Sequence, residues 1–152
     1  MGRFLLEVLC GPPTAGKSTW AELAAAGDLV SGDDVRLWGA QGHVALEQAH
    51  HAASELLAGG RSVTVDACAM NARRRARWRE LAAEHGASTR LVVFDVAPSE
   101  AYRRNHRRPI RERVPNLSAY LREWPSERAA AVAEPWGEIV LAAEVRASAD
   151  EW

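Results

Sequence analysis

The chain has 152 residues, enough for one domain with a sizeable core. Its 47 % hydrophobic and 26 % charged content excludes a disordered chain, and a formal net charge of −1 excludes a molecule-wide basic field for nucleic acid. Cys10 and Cys68 stand far apart and outside any CxxC pair, which excludes a disulfide scaffold and a zinc ribbon and points to a reducing cytoplasm.

In chain order, "RFLLEVLC" (3–10) is an apolar run too short to span a membrane and without a cleavage site, so it predicts a buried strand and no membrane association. "KSTWAELAAA" (17–26) predicts a helix closed by Gly27, and "DLVSG" (28–32) a short strand. Residues 43–58 place Val44, Leu46, Ala49, Ala53, Leu56 and Leu57 at helical spacing, ended by Gly59 and Gly60. "RSVTVDA" (61–67) is β-branched and predicts a strand. An Arg-rich helix is expected over 72–85, ending near Gly86, then a strand over 89–96. Pro98 opens the next helix, Pro109 and Pro115 bracket a loop, "NLSAYLREW" (116–124) predicts a helix and "GEIVLAAE" (137–144) the last strand. Strands and helices alternate as in βαβ units. The expected fold is therefore α/β, a parallel sheet between helical layers in one domain over 1–152.

The segment "GPPTAGKSTW" (11–20) fits G-x-x-x-x-G-K-[ST], the Walker A pattern, and it follows a strand and opens a helix. In such a P-loop, backbone N–H groups and the helix N-terminus surround a phosphate. Residues Gly11, Pro12, Pro13, Thr14, Ala15, Gly16, Lys17, Ser18 and Thr19 are thus the expected nucleotide-binding loop. Lys17 would reach the β- and γ-phosphates and the Ser18 hydroxyl would ligate Mg²⁺. Lys17 is the only lysine; every other basic side chain of the Lys/Arg type is arginine. A planar guanidinium is a poor substitute for a point charge inside this loop, which explains the exception. Thr14 stands where many such loops have glycine, and it costs about 1 kcal/mol or more if the position needs φ > 0.

The loop specifies nucleotide binding, not a reaction. "SGDDVR" (31–36) puts two carboxylates directly after a strand, where open α/β sheets bind ligands. Either Asp33 or Asp34 could serve as general base toward an acceptor hydroxyl or as a helix N-cap. Arg36 could clamp an acceptor phosphate. Asp66 ends a strand, where it could hold the Mg²⁺ shell or help hold the acceptor, with Asn71 close behind it. "RRNHRRPIRER" (103–113) carries six arginines and one glutamate. It reads as a lid whose Arg104, Arg107 and Arg108 close on phosphates, or as a solvated basic face. In the second basic run, "NARRRARWRE" (71–80), a helix with one charged face and a buried Trp78 is favoured over a nucleic-acid path. The five histidines show no ligand spacing.

Taken in order, "GPPTAGKSTWAEL", "SGDDVR", "VTVDACAMNARRRARWRELA", "VFDVAPSEAYRRNHRR" and "VPNLSAYLREW" resemble the P-loop kinase domain of phage-type polynucleotide 5′-kinases, one group among the small P-loop kinases. The resemblance spans most of the chain and implies a three-layer P-loop kinase fold with an Arg-rich lid. It also implies an ATP- and Mg²⁺-dependent transfer of the γ-phosphate to the 5′-hydroxyl of DNA or RNA. Lys17 and Ser18 would hold the ATP phosphates and Mg²⁺. Asp33 would take the proton, Arg36 would bind the acceptor's phosphate and Asp66 would support the acceptor side. Arg104 and Arg108 would meet the donor from the lid. The chain departs from that family at Thr14 and in a shorter segment between Arg36 and the third strand. A small-molecule kinase acting on an antibiotic, a sugar or a nucleoside-type compound is the second reading, and a non-catalytic ATP-binding module is the third. ATP and GTP are not separated by these residues.

Overall fold

A computed structural model describes residues 4–31, 39–67 and 69–143, with side chains left undescribed over 39–45. Five parallel strands form one sheet in the order β2-β3-β1-β4-β5. They are β1 (Leu5–Cys10), β2 (Asp28–Ser31), β3 (Val63–Asp66), β4 (Ser88–Val93) and β5 (Glu138–Leu141). The connecting helices are α1 (Lys17–Ala24), α2 (Gly39–Ala58), α3 (Ala72–Glu84), α4 (Pro98–Arg107) and α5 (Leu117–Ala133), with a 3-10 turn at Ile110–Glu112.

Alternation along β1 sorts the core into two layers. Leu6, Val8 and Cys10 face the larger cluster, with Leu46, Ala49, Ala53 and Leu57 from α2, Trp78 and Ala82 from α3, and Trp124 and Ala131 from α5. Leu9 faces the smaller one, with Trp20 and Ala21 from α1, Val92 and Phe94. Helices therefore cover both faces, as the alternating pattern predicts.

Glu7 lies on the same face as Leu9 and is fully buried. The sheet register sets Thr64, Glu7, Arg90 and Glu138 in one row across four strands. Glu7 accepts from the Thr64 hydroxyl at 2.9 Å, the Ala26 N–H at 3.1 Å and Arg90 Nη1 at 3.0 Å. Three donors on one carboxylate offset much of its desolvation.

Two boundaries differ from the sequence reading. Helix α1 ends at Ala24, so Gly27 does not stop it. A Cβ on Gly27 would lie 2.3 Å from the Ser62 carbonyl carbon, so glycine is required there by close approach to the chain entering β3. The sequence also predicts that the last helix stops at Trp124, but α5 continues through Pro125 to Ala133. An interior proline costs about 3 kcal/mol by removing a ladder bond and crowding the preceding turn. Here Asp95 clamps the helix on both sides of it. Its carboxylate accepts from Trp124 Nε1 at 3.0 Å and from Arg128 Nε at 2.8 Å. Helix α2 likewise begins at Gly39, one turn before the predicted start at residue 43.

Candidate active site

The site lies at the carboxyl ends of β1, β3 and β4, where open parallel sheets place their ligands. The turn after β1 starts at Gly11, where a Cβ would come within 2.7 Å of the Phe94 carbonyl oxygen; only glycine lets the loop leave beside the end of β4. Gly16 caps α1 at φ 93°, with no side-chain cap bond and no acidic residue in the first turn. The cap and first turn of α1 thus supply no carboxylate of their own to compete with an anion at the helix's positive end.

Lys17 folds back over the loop, and its Nζ donates to the Gly11 and Pro12 carbonyls, each at 2.9 Å. The ammonium is thereby held at the loop's centre. Ser18 Oγ donates to Asp66 Oδ2 at 2.7 Å, joining the start of α1 to the end of β3. Asp66 is only 3 % exposed. A hydroxyl and a carboxylate side by side form a hard-oxygen pair of the kind Mg²⁺ takes. Ser31, the last residue of β2, is the register partner of Asp66. The two acceptor-side residues expected just beyond it, Asp33 and Arg36, lie outside the described residues, as does Asp34.

Thr14 adopts φ 71° and is 5 % exposed, so the condition for strain set by its sequence position is met. Its Oγ1 donates to the Ala101 carbonyl at 3.2 Å, and its own carbonyl accepts from Arg104 Nη1 at 3.0 Å. Arg104 Nε in turn donates to Glu100 at 3.0 Å, and Arg103 binds the other oxygen of the same carboxylate. Desolvation pushes the Glu100 carboxyl up, but the bonds from Arg103 and Arg104 outweigh it and hold the group below the usual carboxylate range.

Beside the loop opens a cavity of about 450 Å³. It is lined by Ala15, Gly16 and Trp20 from the loop and α1, Val93, Phe94 and Asp95 at and after the end of β4, Arg104 from α4, and Leu141, Ala142 and Ala143 at and after the end of β5. Trp20 is 2 % exposed and stands edge-on to Phe94 with ring centroids 5.5 Å apart, so it serves the core and the cavity wall together. Of this lining, Trp20, Val93, Phe94, Asp95, Leu141, Ala142 and Ala143 carried no binding motif in the sequence. The signal available was position alone: all of these but Trp20 end or directly follow β4 and β5.

The remaining sequence candidates fall as follows. Asn71 caps α3, accepting from the Arg73 and Arg74 N–H groups. Arg108 is the C-cap of α4, and its carbonyl accepts from Arg113 Nε at 3.1 Å. Asn105 pairs with both the N–H and the carbonyl of Val114, fixing the turn from α4 toward α5. In the second basic run Trp78 is fully buried, stacked on His50 at 3.8 Å. Arg75 is fully buried as well, bonded to Glu127, Glu134 and the Ala69 carbonyl, while Arg77 pairs with Glu47 and Arg79 with Glu134. Three of the run's five arginines, Arg75, Arg77 and Arg79, are bound within the protein, and its tryptophan offers no face to a base. Among the described residues no helix is long and apolar enough to cross a membrane, and no three His, Cys, Asp or Glu side chains gather as a ligand cluster.

The model of one protein family, described as AAA domain, matches residues 6–123, from β1 into α5. The chain belongs to the AAA domain family. No curated protein matches it significantly. Solved structures extend the likeness of this AAA domain in fold. A sugar kinase from Janibacter superposes with a TM-score of 0.66 at 17 % identity, over 98 % of this chain and 94 % of that one. The Mycobacterium tuberculosis APS kinase CysC, in complex with AMPPNP and APS, gives 0.57 at 24 % identity, over 70 % and 71 %. Kti12 of Chaetomium thermophilum, in complex with ADP-AlF3, gives 0.58 at 17 % identity, over 78 % and 79 %. At these identities the likeness is one of fold, and the fold of this AAA domain is that of the P-loop kinases.

Proposed function

We propose that the chain is an ATP- and Mg²⁺-dependent phosphotransferase that moves the γ-phosphate to a hydroxyl, with the 5′-hydroxyl of a nucleic acid as first acceptor. The observation that carries the reading is the conjunction at one sheet edge of Lys17, the Ser18–Asp66 pair and the adjoining cavity. The cavity's apolar Trp20, Phe94 and Leu141 suit a flat nucleoside base, with Arg104 in the same lining.

The division of labour follows. Lys17 exchanges the Gly11 and Pro12 carbonyls for donor phosphate oxygens as a point charge. Ser18 and Asp66 would hold Mg²⁺, which supplies Lewis-acid neutralisation of phosphate charge. Asp33 accepts the proton of the acceptor hydroxyl. That oxygen bonds to the γ-phosphorus as the bond to the β-phosphate's bridging oxygen breaks, and ADP leaves. Arg36 positions the acceptor through its phosphate. Arg104 and Arg108 offset the charge that spreads over the transferring group.

A second reading, a small hydroxyl compound as acceptor, is favoured by the internal pairing of the α3 arginines. It also draws on the sugar kinase that superposes over nearly the whole chain. The experiment that separates them is transfer from γ-labelled ATP to 5′-hydroxyl oligonucleotides of increasing length, beside a panel of sugars, nucleosides and aminoglycosides. Label on oligonucleotides, lost in Asp33→Asn, supports the first reading. Label only on a small compound supports the second. ATP binding unchanged in Asp33→Asn, with no label on any acceptor, leaves the non-catalytic module.

A further inference from the structure

We propose that Thr14 is a positioning residue that clasps α4 onto the donor loop and, through Arg104, sets the affinity for the donor nucleotide. The proposal rests on the donor-binding reading above. Its basis is geometric. Thr14 is a β-branched residue in the left-handed region, a conformation that persists only where its surroundings hold it. What holds it is α4. Its hydroxyl bonds the carbonyl of Ala101, and its carbonyl receives Arg104. Ala101 and Arg104 are three apart and share one face of the helix, so loop and helix meet at two points a single turn apart.

The consequence is a fixed place for the guanidinium. Arg104 lines the cavity and lies against the loop, with Nη1 3.7 Å from where a Cβ on Gly16 would stand. Two of its N–H groups are spent on Glu100 and Thr14, which fix its plane. A glycine at position 14 would adopt the same backbone without strain but would carry no hydroxyl to hold Ala101. Threonine trades local ease for attachment between two segments 87 residues apart in sequence.

The test is a double-mutant cycle read as binding of a fluorescent ATP analogue by the full chain, with thermal melts to confirm folding. Thr14→Gly is expected to weaken binding about fivefold, the loss of one ordinary hydrogen bond's worth of positioning. Thr14→Ser, which keeps the hydroxyl, should stay within about twofold of wild type. In an Arg104→Ala background, Thr14→Gly should change binding by less than about twofold, because the group it positions is gone. An equal loss in both backgrounds would overturn the clasp, as would unchanged binding in Thr14→Gly or a loss in Thr14→Ser as large as in Thr14→Gly. Wild-type protein that binds no ATP overturns the donor reading and the clasp together. ATP binding with an additive cycle overturns the clasp alone.

Discussion

At the scale of single residues, the site depends on groups that cannot be exchanged for near relatives. Lys17 is the clearest. Its ammonium sits between two carbonyls 2.9 Å away, a cradle shaped for a point charge. Lys17→Arg retains the charge and should still lower phosphotransfer at least about 10²-fold, the usual loss when one preorganised electrostatic group is misplaced. A steady-state assay checks this, and activity near wild type would show that shape does not matter there. Asp66→Asn keeps a hydrogen-bond partner for Ser18 but removes the negative charge beside it. The expected result is a raised Mg²⁺ requirement with ATP binding in the absence of metal nearly unchanged, measured as a Mg²⁺ titration of turnover.

At the scale of elements, the sequence made the strands and the loop legible because their signals are local. The Walker A spacing, the β-branched run before Asp66 and the proline opening α4 each act within a few residues. Three features were not legible, for a common physical reason. The continuation of α5 past Pro125 depends on Asp95, 29 residues before Trp124 in the loop between β4 and α4. The true use of Gly27 depends on Ser62. The Arg-rich face of α3 looks like free charge until Glu47, Glu127 and Glu134 arrive from α2 and α5. These contacts also set predictions. Arg75→Met leaves Glu127 and Glu134 without their buried partner and unhooks the Ala69 carbonyl, so it should cost about 3 kcal/mol or more in urea unfolding.

His50, buried against Trp78 on the α2–α3 contact, gives a pH dependence. Desolvation, helped by Arg77 and opposed by Glu47, lowers its pKa from 6.5 to about 4. The folded state prefers the neutral ring, so this contribution is fully present above about pH 6.5 and is lost as pH falls toward 4. Unfolding midpoints should drop over that window more steeply in wild type than in His50→Phe. Parallel curves would contradict the assignment.

At the scale of the molecule, one sheet edge gathers a phosphate loop, an oxygen pair suited to Mg²⁺, a base-sized cavity and a helix carrying arginine. The fold supplies the edge because β1 and β3 are neighbours, with β4 on the other side of β1. Lys17 and Ser18 were readable from the loop itself, whereas the resemblance put Asp66 on the acceptor side and only the structure sets it against Ser18. The cavity wall beyond the loop, α1 and Arg104 was not readable, since its parts lie at and just after the ends of β4 and β5 and carry no motif of their own. The whole arrangement predicts transfer of phosphate rather than storage of nucleotide.

The measurement that tests this most directly is Mg²⁺-dependent transfer of label from γ-labelled ATP to a hydroxyl acceptor, in wild type, Lys17→Ala and Asp33→Asn side by side. The account predicts labelled acceptor in wild type, loss in Lys17→Ala, and in Asp33→Asn a rate lower by about 10²–10⁴-fold with ATP affinity preserved. Label transfer that is undiminished in Lys17→Ala, or tight ATP binding with no transfer to any oligonucleotide or small hydroxyl compound, would contradict it.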